Sequence, residues 1–241
     1  MMPAQPGPEE GSGLTKIMWF GIIYLAGLAV SWAVAFYVFG TIFTASSALI
    51  PPGSMNGTGF GPSGNATSMQ ALAAIAPVFQ GLTLLLPISV SVELIALAVL
   101  TLGFRDLGRV DRSRFSTPST LMLVMVAGTF VAAAGGLLVF SAITGYFTMA
   151  SSQQILQPGG AMASVGSIFL GVVVVLIGGI LSLVGLVGGL MLGLWRAGSL
   201  YDETLLKLGA IFVIIPFLNF VAPILVIVGA HGAKGRVAAG R

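Results

Sequence analysis

The sequence predicts an all-α membrane protein, a polytopic transmembrane helix bundle of four long spans plus a fifth segment that prolines interrupt. Composition is the first reason: 56% of the 241 residues are hydrophobic and only 7% are charged, whereas a soluble chain carries about 25% charged residues. The second reason is that four apolar runs exceed the roughly 20 residues that a helix needs to cross the hydrocarbon core. We therefore expect lipid to solvate most of the surface.

The elements follow from the apolar runs in order along the chain. The four long spans are predicted at residues 17–50, 70–104, 117–150 and 162–195. Proline, glycine and two glutamates occupy residues 1–16, which predicts a flexible cytoplasmic tail. Residues 231–241 are predicted as a basic carboxyl-terminal tail, so a single transmembrane helical domain covers residues 17–230.

The basic residues predict the orientation. Arginines lie in the break after the second run and directly after the fourth, and we call them the inner arginines: Arg105, Arg109, Arg112, Arg114 and Arg196. Because Lys and Arg stay on the cytoplasmic side, we expect a multi-pass protein of the cell membrane with its amino terminus in the cytoplasm. The uncharged breaks then face outward. Asn56 and Asn65 begin sequons in the first of these breaks and are candidate glycosylation sites.

The fifth segment, residues 205–230, leaves two interpretations open because it contains Pro216, Asn219 and Pro223. A single span kinked at the prolines suits its length and is the interpretation that we favour. A re-entrant segment that turns back near Pro216 would instead keep the carboxyl tail in the cytoplasm. Broken backbone at membrane depth must be buried in protein or line a watery cavity, and Asn219 is a candidate cap for it.

Small residues recur every four positions in three of the long runs, and in the first run they are Gly27, Ser31 and Ala35. They predict helix packing at Gly185, Gly189, Gly193, Gly128, Ala132 and Gly136. Residues four apart share a helix face, and small side chains let helices approach closely in lipid. We favour packing within one chain, and an oligomer interface or a sliding seam in a transporter is the alternative.

Glu93 is the one acid well inside an apolar run, roughly 15 Å from the inner end of its helix at 1.5 Å per residue. An ionised carboxylate there costs about 2.5 kcal/mol or more. Glu93, Ser89 one turn earlier and Asn219 form a candidate intramembrane ion or proton site. A neutral, hydrogen-bonded structural carboxyl is the alternative, and on the sequence we favour it.

The sequence contains no constellation typical of an enzyme. Cysteine is absent, and the single histidine, His231, has no potential metal ligand beside it. We expect no catalytic residues, no metal and no cofactor, and a net charge of +3 from so few residues does not fit a nucleic-acid-binding protein. The inner arginines are candidate contacts for lipid headgroups or a cytoplasmic partner, and topology alone is the simpler explanation of them.

The most distinctive stretch reads LGLWRAGSLYDETLLKLGAI over residues 192–211 and continues as IIPFLNF over residues 214–220. It resembles the carboxyl-terminal signature of an archaeal family of uncharacterised multi-pass membrane proteins, domain of unknown function 973. The loop over residues 103–115 also resembles that family's central loop. The resemblance implies an archaeal membrane protein with about five spans, and it implies no activity.

Two functional hypotheses remain. The first is a non-enzymatic accessory, scaffold or oligomer-forming membrane protein, either a homo-oligomer or a subunit of a membrane complex. The second is a small ion or solute transporter or channel that uses Glu93 and the broken helix over residues 216–223. What distinguishes them is whether Glu93 and Asn219 converge on a cavity or face packed protein.

Overall fold

The computed structural model describes residues 8–48, 64–151, 158–215 and 217–239, which form helices and turns and no strand. The helices are α1 (Pro8–Ala48), α2 (Gly64–Val110), α3 (Arg112–Ser151), α4 (Pro158–Gly185), α5 (Leu192–Leu200), α6 (Thr204–Phe212) and α7 (Ala222–Ala238). A π-helical turn at Leu186–Met191 joins α4 to α5. The predicted all-α fold class is confirmed.

Four stretches of described helix are long and apolar enough to cross a membrane. They are Glu9–Thr44, Leu86–Val110, Arg112–Gly145 and Val165–Leu200. Their mean hydropathy lies between 2.0 and 2.8, and each overlaps one of the four predicted spans. The sequence therefore located the four long apolar helices correctly. Of the two sequons, Asn56 lies outside the described residues, and Asn65 lies in the first turn of α2.

The molecule divides into two compact units. The first contains residues 1–29, 89–133 and 176–241, and the second contains residues 30–88 and 134–175. The described hydrophobic core belongs to the first unit, where Phe20, Phe104 and Phe115 are fully buried. In the second unit large side chains such as Phe36 and Phe39 are exposed, as expected for helices that lipid surrounds.

Helix α1 begins at Pro8, so the flexible tail predicted over residues 1–16 is wrong from Pro8 onward; the preceding seven residues lie outside the described part of the chain. The Ser12 hydroxyl donates to Asp106 Oδ2 at 2.8 Å, and Lys16 forms an ion pair with the same carboxylate. These partners are 94 and 90 residues apart in sequence. The polar composition of this segment is typical of a flexible tail, and its ordering depends on Asp106, which is distant in sequence.

The connection between α2 and α3 is a single residue, Asp111. Its carboxylate accepts hydrogen bonds from the Ser113 hydroxyl at 2.6 Å and from the backbone N–H of Arg114 at 3.2 Å. Asp111 therefore caps the first turn of α3. The hydrogen bond from Ser113 lowers the pKa of the Asp111 carboxyl below its ordinary value, because it favours the ionised form that accepts the bond.

The fifth segment forms a helical hairpin, and the single kinked span that we favoured from the sequence is wrong. Helices α6 and α7 pack against each other in opposite directions. A Cβ on Gly209 would lie 2.9 Å from a methyl carbon of Val226, and a Cβ on Gly229 would lie 2.8 Å from the backbone nitrogen of Leu206. The glycines allow this close approach because they have no side chain.

Turns and a bend over residues 213–215 and turns over residues 217–221 separate the two arms of the hairpin. Pro216 itself lies outside the described residues, and Pro223 occupies the first turn of α7. Proline is tolerated at that position because its missing N–H would have no helical partner there. The chain can therefore reverse at the turn and resume a helix directly after it.

Helix α7 also contains most of the carboxyl-terminal tail predicted over residues 231–241. Arg236 forms an ion pair with the buried Glu203 at 3.2 Å and donates to the carbonyl oxygen of Tyr201 at 2.9 Å. Burial raises the pKa of the Tyr201 hydroxyl. Arg236 of α7 thus binds the turn between α5 and α6.

The three glycines predicted to pack on α4, the π-helical turn and α5 face close neighbours. Gly185 lies against the backbone of Met125, and Gly193 lies against the ring of Phe104. A Cβ added to Gly189 would lie 2.8 Å from the backbone nitrogen of Met122. Each of these positions leaves no room for a side chain.

On α3 the close approach follows a different spacing from the one that we predicted. A Cβ on Gly128 would lie 2.5 Å from the backbone nitrogen of Ser182, and Ala132 lies against Gly178. Nothing described lies within 4 Å of a Cβ built on Gly136. In the second unit the neighbouring Gly135 makes the contact instead, with a Cβ 2.7 Å from the backbone nitrogen of Val175.

We expect Gly128→Ala to destabilise the protein by about 1–3 kcal/mol, because the new methyl group overpacks the backbone of α4. Gly136→Ala is the matched control, and it should leave stability unchanged or raise it by up to about 1 kcal/mol through helix propensity. Thermal unfolding of both variants in detergent measures the difference. A Gly128→Ala variant as stable as Gly136→Ala would contradict the packing described.

Candidate functional site

A cavity of about 460 Å³ lies within the first unit. Five polar side chains line it, and each comes from a different part of the chain. They are Tyr24 of α1, Glu93 of α2, Thr129 of α3, Ser182 of α4 and Asn219 of the turn between α6 and α7. The remaining lining is made of apolar and small residues. The cavity therefore gathers polar groups within an otherwise apolar set of helices.

Hydrogen bonds hold two pairs of these side chains together. The Tyr24 hydroxyl and the side-chain amide of Asn219 lie 3.3 Å apart. The hydroxyls of Thr129 and Ser182 also lie 3.3 Å apart. The first pair ties the hairpin turn to α1, and the second ties α3 to α4.

Glu93 stands apart from these pairs. Within the described part of the chain, no hydrogen bond or ion pair joins its carboxyl group to another residue, and no basic side chain lines the cavity. Burial of an ionised carboxylate without a partner is costly. The Glu93 carboxyl is therefore either protonated or balanced by a positively charged species in the cavity.

The end of α6 contributes to the same cavity. Helix α6 ends at Phe212, and the next residue, Val213, is part of the lining. The last carbonyl groups of α6 are already bonded, because Gly209, Ile211 and Phe212 accept from the backbone N–H groups of Val213, Ile214 and Ile215. The negative charge of the lining therefore comes from Glu93 when it is ionised, and no basic side chain of the lining balances it.

The structure brings together Glu93 and Asn219, two of the three residues predicted for an intramembrane site. Ser89, the third, is not in the cavity lining. Sequence reasoning missed Tyr24, Thr129 and Ser182. A signal for the two smaller residues did exist, because Thr129 directly follows Gly128 and Ser182 lies one turn after Gly178, on the faces where α3 and α4 approach closely.

The inner arginines divide into two groups. Arg105, Arg109 and Arg112 line a second cavity of about 550 Å³ where α2 ends and α3 begins. Arg114 instead pairs with Asp111 at 3.1 Å, and Arg196 donates to the carbonyl oxygen of Arg114. His231 is exposed on α7, and the described residues contain no group of three or more His, Cys, Asp or Glu that could hold a metal ion.

The model of a family described as "Protein of unknown function (DUF973)" matches residues 11–239. No curated protein and no solved structure matches the chain. The archaeal origin implied by the sequence resemblance stays a prediction.

We expect Tyr24→Phe to loosen the hairpin turn, because it removes the hydrogen bond to Asn219. A hydrogen bond of this kind contributes about 1 kcal/mol, so amide hydrogen exchange over residues 217–221 should become about fivefold faster. Tyr37→Phe is the control, since Tyr37 lies on the same helix and is exposed. Equal exchange in the two variants would contradict the anchoring role of Tyr24.

Proposed function

The chain belongs to the DUF973 family of proteins of unknown function, and we propose that it is an integral membrane protein that passes protons or small cations. The single observation that carries the proposal is the convergence of Glu93 and Asn219 on one cavity beside the turn between α6 and α7. Convergence of these two residues is the arrangement that distinguishes a transporter or channel from a packed scaffold.

The charge balance supports a cationic species over an anion or a neutral solute. Glu93 carries the one carboxyl group of the cavity lining, and the other polar groups are three hydroxyls and an amide. Carboxylates, hydroxyls and amide oxygens are the ligands that hard cations prefer. An anion would meet the Glu93 carboxyl with no basic side chain of the lining to compensate.

The size of the cavity supports a small species. One water molecule takes about 30 Å³ in the liquid, so a cavity of about 460 Å³ has room for a small cation with several waters. A proton can move along such waters to the Glu93 carboxyl. Water in the cavity would also solvate the backbone of the hairpin turn, which meets the requirement for irregular backbone at membrane depth.

The hairpin of α6 and α7 is further evidence that the cavity binds a proton or a cation. Transporters commonly bind ions where a helix is interrupted within the membrane, because helix ends and unwound backbone offer partial charges there. Here the irregular backbone is the turn between α6 and α7, and Asn219 and Val213 of this turn line the cavity. Glu93 would accept and release the proton or cation, and Tyr24 would hold the turn in place.

One observation supports the accessory or scaffold role, which the sequence favours. Gly40 and Gly136 have nothing described within 4 Å of a built Cβ. Open glycine surfaces allow a further helix to approach closely. A homo-oligomer or a membrane complex that packs on these glycines is compatible with ion passage and is the second candidate function.

Glu93→Gln tests the proposal in proteoliposomes that contain a dye sensitive to H⁺, Na⁺ or K⁺ and are subjected to a gradient of the same ion. The amide keeps the size of the side chain and removes its ionisation, so we expect at least a tenfold loss of ion flux. Glu10→Gln is the control, because it removes a carboxylate near the start of α1 and outside the cavity; its flux should match the wild type.

Two results would contradict the proposal. The first is a Glu93→Gln variant with wild-type flux. The second is a wild-type protein that passes protons, Na⁺ and K⁺ no faster than empty liposomes do, which would leave the accessory role as the better account.

A further inference from the structure

We propose that the second cavity, between the end of α2 and the start of α3, binds the headgroup of an anionic phospholipid. Three arginines and three hydroxyl-bearing side chains line this cavity of about 550 Å³. They are Arg105, Arg109, Arg112, Ser116, Ser119 and Thr120. No acidic residue belongs to the lining, so we call it the arginine cavity. The proposal is independent of ion passage at Glu93.

The arginines of this cavity are poorly neutralised by the protein. Within the residues described, neither Arg105 nor Arg112 takes part in an ion pair, and Arg109 reaches Glu9 and Asp106 only at 3.7 Å. Asp106 is already engaged by Lys16 and Ser12. Three like charges around one cavity repel one another, and an anion between them would remove that repulsion.

The chemistry of the lining fits a phosphate group. Guanidinium groups present planar pairs of N–H donors that match phosphate oxygens, and the resulting hydrogen bonds are charge-assisted. The Ser119 and Thr120 hydroxyls donate to the carbonyl oxygen of Ser116 at 2.9 and 3.0 Å. The Ser116 hydroxyl makes no hydrogen bond to another described residue, so it is a further donor for the ligand.

The position of the cavity favours a lipid over a soluble phosphate. It lies where the apolar stretches Leu86–Val110 and Arg112–Gly145 meet, with one residue between them. Leu102, three residues before Arg105, is 49% exposed, and Leu123, three residues after Thr120, is 56% exposed. Residues three apart share a helix face, so exposed apolar surface continues from the cavity along both helices. That surface suits the acyl chains of a lipid whose headgroup the arginines hold.

The other inner arginines provide an internal control. Arg114 lies two residues from Arg112 but pairs with Asp111 and is not in the lining of the cavity. Removing its charge changes the net charge of the protein by the same amount as removing that of Arg112. Binding that depends on general electrostatic attraction would respond equally to both changes.

The test is native mass spectrometry of the full-length protein in detergent, titrated with phosphatidylglycerol, with phosphatidylcholine or with inorganic phosphate. We expect saturable retention of phosphatidylglycerol and weak retention of phosphatidylcholine, whose headgroup carries a compensating cation. Arg112→Gln should weaken phosphatidylglycerol binding about tenfold, since it removes a charge-assisted contact. Arg114→Gln should change binding by less than about twofold.

Arg105→Gln serves as a second variant on α2 if Arg112→Gln does not fold, as judged by gel filtration and circular dichroism. Equal weakening by Arg112→Gln and Arg114→Gln would overturn the proposal in favour of general attraction. Equal retention of the two lipids would overturn it as well. Displacement of phosphatidylglycerol by millimolar inorganic phosphate would overturn the lipid assignment and make the cavity a site for soluble phosphate.

Discussion

A carboxyl group and the turn of a helical hairpin lie beside one cavity among long apolar helices, and the rest of the first unit has to accommodate them. Neither can be exposed to lipid without a large cost, because hydrocarbon offers no hydrogen bonds. Polar side chains of α1, α3 and α4 line the cavity that Glu93 and Asn219 of the turn also line. The Tyr24–Asn219 hydrogen bond then fixes the turn beside the acid.

Much of the fold could be predicted from the sequence, because the strongest signal in the chain is hydropathy. The four long apolar helices follow from it directly. The start of α1 could not be predicted, since Ser12 and Lys16 acquire their partner, Asp106, only when distant segments meet. The hairpin was ambiguous for a similar reason: the same prolines fit a kinked span, and only the close contacts of Gly209 and Gly229 with the opposite arm favour the reversal.

The candidate site was predictable in part. Glu93 and Asn219 stand out because polar residues are rare in such runs, whereas Thr129 and Ser182 are ordinary in glycine-rich helices and only their shared face marks them. The spacing of close contacts on α3 also differs from the predicted spacing of four residues. Gly128 and Gly135 are seven residues apart, which is the period of helices that coil around each other, whereas a spacing of four predicted Gly136.

Passage of protons or cations requires water in the cavity around Glu93, and thiol labelling detects that water because the chain has no native cysteine. Ser182→Cys places a thiol in the cavity lining, and Ile180→Cys places one on the 63% exposed face of the same helix, outside that lining. Our account predicts that a charged, membrane-impermeant thiol reagent modifies the cysteine at 182 and leaves the one at 180, in lipid, unmodified. Protection of position 182 from the reagent, at the level of position 180, would contradict it.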